Sequence, residues 1–115
     1  MSTILDFQND VKGYNAYAPA FATDHFSATL TNGAEETFTV PTGNFSIYVV
    51  SFSYQPGTNV WVARNTTTAI PAGATFASTN SELNPGARMV KAGDVIHCIT
   101  DNATADVGVS IYAIS

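Results

Sequence analysis

A chain of 115 residues is the size of one domain with one core, and folding at this length hides about two thirds of the unfolded surface. Apolar residues make up 45% of it and charged residues only 11%, well under the roughly 25% usual in soluble domains; Thr, Ser, Asn and Ala stand where a free monomer carries mixed charge. A net charge of -5 with few Lys and Arg excludes a phosphate-tracking nucleic-acid groove, which needs clustered cations.

The chain opens with Met1-Ser2-Thr3-Ile4-Leu5-Asp6, which has neither the basic start nor the apolar run of a signal peptide. No segment approaches the roughly 20 apolar residues of a membrane span. Residues 1-21 keep no clear period: Ile4, Leu5 and Phe7 are spread among acids and amides, and Tyr14, Tyr17 and Phe21 follow in a stretch rich in Ala and Gly. They are read as an N-terminal arm. Two placements are open for it, on a neighbouring molecule or as an edge strand along its own domain.

From Ala22 onward alternation with period two dominates, and residues 22-115 form the β-sandwich domain. The predicted strands are 22-30, 35-40, 45-54, 59-64, 74-79, 87-91, 94-101 and 106-114. Between them lie turn clusters such as Gln55-Pro56-Gly57-Thr58, Asn84-Pro85-Gly86 and Ala92-Gly93-Asp94, where Gly supplies positive φ and Pro presets a corner. About eight short strands at this spacing predict an all-β, jelly-roll-like antiparallel sandwich. In 106-114, Val107, Val109, Ile111 and Ala113 form the predicted inner face.

Residues 45-54 differ, because both faces are apolar: Phe45, Ile47 and Val49 on one, Tyr48, Val50, Phe52 and Tyr54 on the other. A two-layer core covers only one side of a strand. The second face therefore calls for another piece of chain or another subunit, and Val95, His97 and Ile99 against Ile96 and Cys98 repeat the pattern. This predicts an oligomer.

Chemistry is sparse. Cys98 is the single cysteine, set in an apolar run as a small buried hydrophobe with no intrachain disulfide partner. Asp94 and His97 are three apart on a strand and diverge; His97 is read as a hydrogen-bonded core or interface histidine in preference to a ligand. Asp24-His25 diverge likewise. Glu35-Glu36 reads as a solvated hairpin edge and not as a glycosidase dyad. Asp101, Asn102 and Asp106 have the oxygen ligands for a calcium ion, but Asx residues in turns mostly cap their own backbone. The sequons at Asn44, Asn65 and Asn102 are read in the same way. No nucleophile motif and no zinc spacing is present, so neither catalysis nor a metal or other cofactor is expected. Trp61, between Val60 and Val62, is assigned to the core or an interface ahead of a sugar-stacking platform.

The hairpin Thr37-Phe38-Thr39-Val40-Pro41-Thr42-Gly43-Asn44-Phe45-Ser46-Ile47-Tyr48, with Ala92-Gly93-Asp94-Val95-Ile96 and Val109-Ser110-Ile111-Tyr112-Ala113, resembles signatures of tumour-necrosis-factor-like and complement-head-like jelly rolls. The resemblance covers residues 35 to 115 and implies a trimer in preference to a dimer. The arm before Phe21 has no counterpart in those families. The charge-poor, Thr/Ala/Asn-rich composition is similar to that of small virion accessory proteins of tailed bacteriophages, which implies a capsid decoration (cement) protein or a head-fibre domain.

The expected function is therefore that of a structural virion protein on the capsid surface, made in the host cytoplasm. Its expected partners are itself and a major capsid or other virion protein, with no nucleic acid and no membrane. Ile4, Leu5, Phe7, Tyr14, Tyr17, Phe21, Tyr48, Phe52 and Tyr54 are the expected interface, since aromatic and aliphatic anchors dominate such contacts. The alternative is a receptor- or carbohydrate-binding module at a fibre tip, using loops near Asn65 to Thr68 or Asn80 to Gly86. A cupin-like enzyme is disfavoured, because such a site needs more inward-facing histidines than His25 and His97 supply.

Overall fold

The computed structural model of the chain describes residues 3–4, 11–12, 21–22, 24–70 and 80–114. Among these residues the strands are β1 (Thr3–Ile4), β2 (Asp24–Thr31), β3 (Glu36–Thr39), β4 (Ile47–Tyr54), β5 (Val60–Arg64), β6 (Glu82–Leu83), β7 (Ala87–Lys91), β8 (Val95–Thr100) and β9 (Thr104–Ala113). They form the two facing sheets of an all-β sandwich. The first sheet runs β2-β9-β4-β7, with β1 beside β9 just past the start of β2; the second runs β3-β8-β5-β6. The pairings are antiparallel except that of β1 on β9. Apart from β5 and β6, consecutive strands from β2 to β9 change sheet, so most turns carry the chain across the core.

The strand readings agree with this within a residue or two. The expected strand 74-79 lies outside the described residues. β6 falls within the expected loop from Asn80 to Gly86; it is two residues long, too short for alternation to register. Thr3 pairs with Tyr112 and Ile4 with Ala113, so of the two placements open for the arm, β1 takes that of an edge strand on its own domain.

β9 is the centre of the first sheet. Ala105, Val107, Val109, Ile111 and Ala113 are buried in strict alternation, and they meet Leu30 of β2 and Tyr48, Val50 and Phe52 of β4. Phe38, Val60, Val62, Ile96 and Cys98 complete the core from the second sheet. Phe26 stacks on Phe38 with ring centroids 4.7 Å apart, which closes the sandwich along the β2 and β3 side.

Two turns show why their residues are there. Thr58 N donates to Gln55 O at 3.3 Å, and Gly57 between them has φ 80, the corner that a Pro-Gly pair makes without strain. Asn84, at φ 45, does with its side chain what a strand does with its backbone. Its Oδ1 accepts from Val60 N at 2.7 Å and its Nδ2 donates to Thr58 O at 3.1 Å.

Candidate assembly surface

The outer face of the first sheet follows from the alternation. With Ala105 to Ala113 pointing inward, Gly108, Ser110 and Tyr112 point outward, and their partners on β4 and β7 do the same. One row across the sheet is Tyr112, Val49, Met89; the next is Ser110, Ser51, Ala87; the next is Gly108, Ser53. Ile47 lies beside Lys91, and on β2 His25 and Ser27 extend the second and third rows. Met89 is 65% exposed, while Ile47, Val49 and Tyr112 are half-buried. The result is a surface dominated by uncharged side chains, with one apolar row; its charged members, Lys91 and Asp106, sit at the rim.

This placement corrects the expectation for β4. Tyr48 and Phe52 are core residues, 1% and 9% exposed, and the face turned away from the core carries Ile47 and Val49. Both faces are apolar in the sequence, so period alone does not say which is inside; the larger aromatics fill the space between the sheets. Tyr54 is also on the inner side. Its ring stacks on Phe52 at 6.1 Å, its hydroxyl donates to Pro85 O at 2.6 Å, and burial pushes its pKa well up. Of the arm residues, Ile4 is 53% and Phe21 97% exposed. Leu5, Phe7, Tyr14 and Tyr17 lie outside the described residues.

The outer face of the second sheet is partly covered by its own chain, while Thr37 and Thr39 of β3 stay exposed on it. Glu35 Oε1 meets His97 Nδ1 at 2.9 Å, and Glu35 Oε2 accepts from Thr68 N at 2.8 Å and from Thr68 Oγ1 at 2.7 Å. At the other side Ala69 N donates to Ser81 Oγ at 3.1 Å. The segment from Asn65 to Ile70 is thus strapped to β8 through Glu35 and His97 and to the chain before β6 through Ser81; Trp61 and Ala63 of β5 point outward and are buried as well. Burial raises the Glu35 carboxyl, but the hydrogen bonds from His97 and Thr68 outweigh it and hold the group below its ordinary value. His97 is hydrogen-bonded, as its position suggested. Glu35 is not a solvated hairpin edge; its partners lie 33 and 62 residues away, and no local pattern announces them.

Four further polar candidates, Asn65, Asp94, Asn102 and Asp106, are engaged by backbone amides or by neighbouring side chains. Asn65, at φ 57, accepts from Val95 N at 2.8 Å and donates to Asp94 Oδ1 at 3.0 Å. Asp94 Oδ2 accepts from Lys91 N at 2.8 Å and sits 3.6 Å from Arg64; these bonds, with the two nearby cations, hold its carboxyl below the ordinary value against the rise from burial. Asn102 Oδ1 accepts from Asn59 N at 2.8 Å, and Asp106 Oδ1 accepts from Thr29 Oγ1 at 2.7 Å. Among the described residues no three His, Cys, Asp or Glu side chains converge as metal ligands would.

One apolar hollow of about 210 Å³ opens between the β6 and β7 edges, over Val50, Phe52, Val62 and Ile96. Arg88 spans it with a two-pronged bond to Glu82, 3.0 Å on each side. It is smaller than the roughly 300 Å³ at which ligand pockets begin. Comparison with protein-family models, with curated proteins and with solved structures finds no match to this chain.

Proposed function

We propose that the protein is a structural virion protein that decorates a capsid, binding the assembled shell as a homo-oligomer and catalysing no reaction. The observation that carries this reading is the outer face of the first sheet, where Ile47, Val49, Tyr112 and Met89 lie among Ser, Gly and Ala with no charge inside the rim. Depletion of charge at the centre of a patch with a polar rim is the compositional mark of a protein contact. The jelly-roll reading draws support from the strand order, in which neighbours in sequence change sheet; the trimer rests on the resemblance alone.

A cement protein that binds only the finished lattice stabilises it by mass action, in proportion to the logarithm of its concentration over its dissociation constant. The fibre-tip alternative draws less support, since Trp61 is buried, 5% exposed, and is no platform for a sugar ring. Purified protein mixed with phage heads stripped of accessory proteins tests the reading. Saturable co-sedimentation with heads, lost when Val49 and Met89 are both replaced by Lys while the domain stays folded, is the expected result. A monomer that leaves heads bare at every concentration overturns it.

A further inference from the structure

We propose that β2 is a pairing edge, and that two copies of this chain join β2 to β2 about a two-fold axis at Ser27, making one continuous sheet from the two first sheets. The proposal rests on the homo-oligomer reading above and makes the dimer its unit.

Among the described residues the sandwich has four lateral edges, and three are blunted. β3 has four residues and an exposed Glu36, and β6 has two residues. β7 carries Arg88 and Lys91; Arg88 Nη1 occupies Ala87 O at 2.7 Å, and Asp94 occupies Lys91 N. Short strands and edge cations are how soluble proteins prevent strand-to-strand association. β2 has none of these devices. It is eight residues long, pairs with β9 in unbroken register, and contains no Lys, Arg, Pro or Gly.

Its hydrogen-bonding parity is set by the ladder. Asn32 N donates to Ala103 O in line with the β2–β9 register, so even-numbered residues of β2 bond to β9 and odd-numbered residues turn their N–H and C=O away. His25, Ser27 and Thr29 are exposed, and their backbone groups have no partner among the described residues. An antiparallel copy centred on Ser27 pairs His25 with Thr29 of the second molecule, Ser27 with itself, and Thr29 with His25, for about six new backbone hydrogen bonds.

The side chains select the same register. Thr29 Oγ1 already gives its proton to Asp106 Oδ1 at 2.7 Å, which leaves its oxygen to accept. The His25 imidazole of the second copy, directly opposite, donates into a chain that ends on a carboxylate. By symmetry this happens twice, with the two small Ser27 side chains, each flanked by Gly108, meeting at the axis between them. A basic group thus faces an acidic one across the joint, and no like charges meet.

Ser27→Pro removes an outward N–H and leaves the bonds to β9 intact, the one place a strand tolerates proline. Ser27→Lys sets like charges against each other at the axis, and Ser27→Ala is the neutral control. Sedimentation equilibrium is expected to give a dimer for the wild type and for Ser27→Ala, with association at least about tenfold weaker in Ser27→Pro and Ser27→Lys. If the proline variant does not fold, the lysine variant is joined by amide exchange, where the His25, Ser27 and Thr29 amides of the wild type slow as concentration rises. An oligomer of undiminished affinity in the folded Ser27 variants, or edge amides indifferent to concentration, overturns the β2 joint while leaving the homo-oligomer standing. A wild type that stays monomeric overturns both, and shell binding by that monomer would separate decoration from self-association.

Discussion

Glu35 and His97, 62 positions apart in the sequence, meet at 2.9 Å on the outer face of the second sheet, and the second oxygen of the same carboxylate holds both the backbone and the hydroxyl of Thr68. One acidic side chain thereby ties a strap to a strand. Without it the amide of Thr68, a buried residue, loses its acceptor.

Glu35→Ala is expected to cost about 2 kcal/mol, the range for orphaning buried donors, read from urea unfolding. Glu35→Gln retains an acceptor for Thr68 and costs less. The carboxyl is held below its ordinary value of 4.5, so its contribution is complete above the unfolded value and is lost as pH falls through the lower folded value. The stability difference between wild type and Glu35→Gln should therefore shrink as pH falls below about 4.5. A difference that is flat down to pH 3 would remove the clasp from the energetics.

Asn84→Ala removes the acceptor of Val60 N, which belongs to a fully buried residue, and leaves a non-glycine at φ 45. The loss is expected to reach about 2 to 3 kcal/mol, combining an orphaned donor with a left-handed backbone. Asn84→Gly should recover about 1 kcal/mol of it, because only the backbone part is relieved. Thermal melts of the three proteins separate the contributions.

Phe52→Ala is expected to act on folding. A ring 9% exposed, packed against Tyr54, leaves a cavity worth about 3 to 5 kcal/mol when truncated. Replacing Val49 and Met89 together by Lys should instead leave the unfolding midpoint close to wild type and weaken assembly or head binding. The reverse pattern, with Phe52→Ala stable and head binding untouched by the lysines, would place the contact elsewhere.

Cys98 is buried among the core residues, and burial, with the negative Glu35 nearby, pushes its thiol up to about 12. A thiol reagent at pH 8 should label the folded protein at least about a hundredfold more slowly than the chain in denaturant. Fast labelling of the native state would mean that β8 opens readily.

The alternation of Val107, Val109, Ile111 and Ala113, the turn at Gln55-Pro56-Gly57-Thr58 and the buried Cys98 were legible in the chain, because each depends on neighbours within a few residues. By itself the sequence determined an all-β domain, a charge-poor surface and a strand at 45-54 with two apolar sides. Only the tertiary structure decided that Tyr48 and Phe52 are the inner side, that Glu35 serves Thr68 and His97, and that β2 ends the first sheet on one side among the described residues. Sidedness, clasp and edge are relations between strands distant in sequence, and a period of two is the same whichever face meets the other sheet.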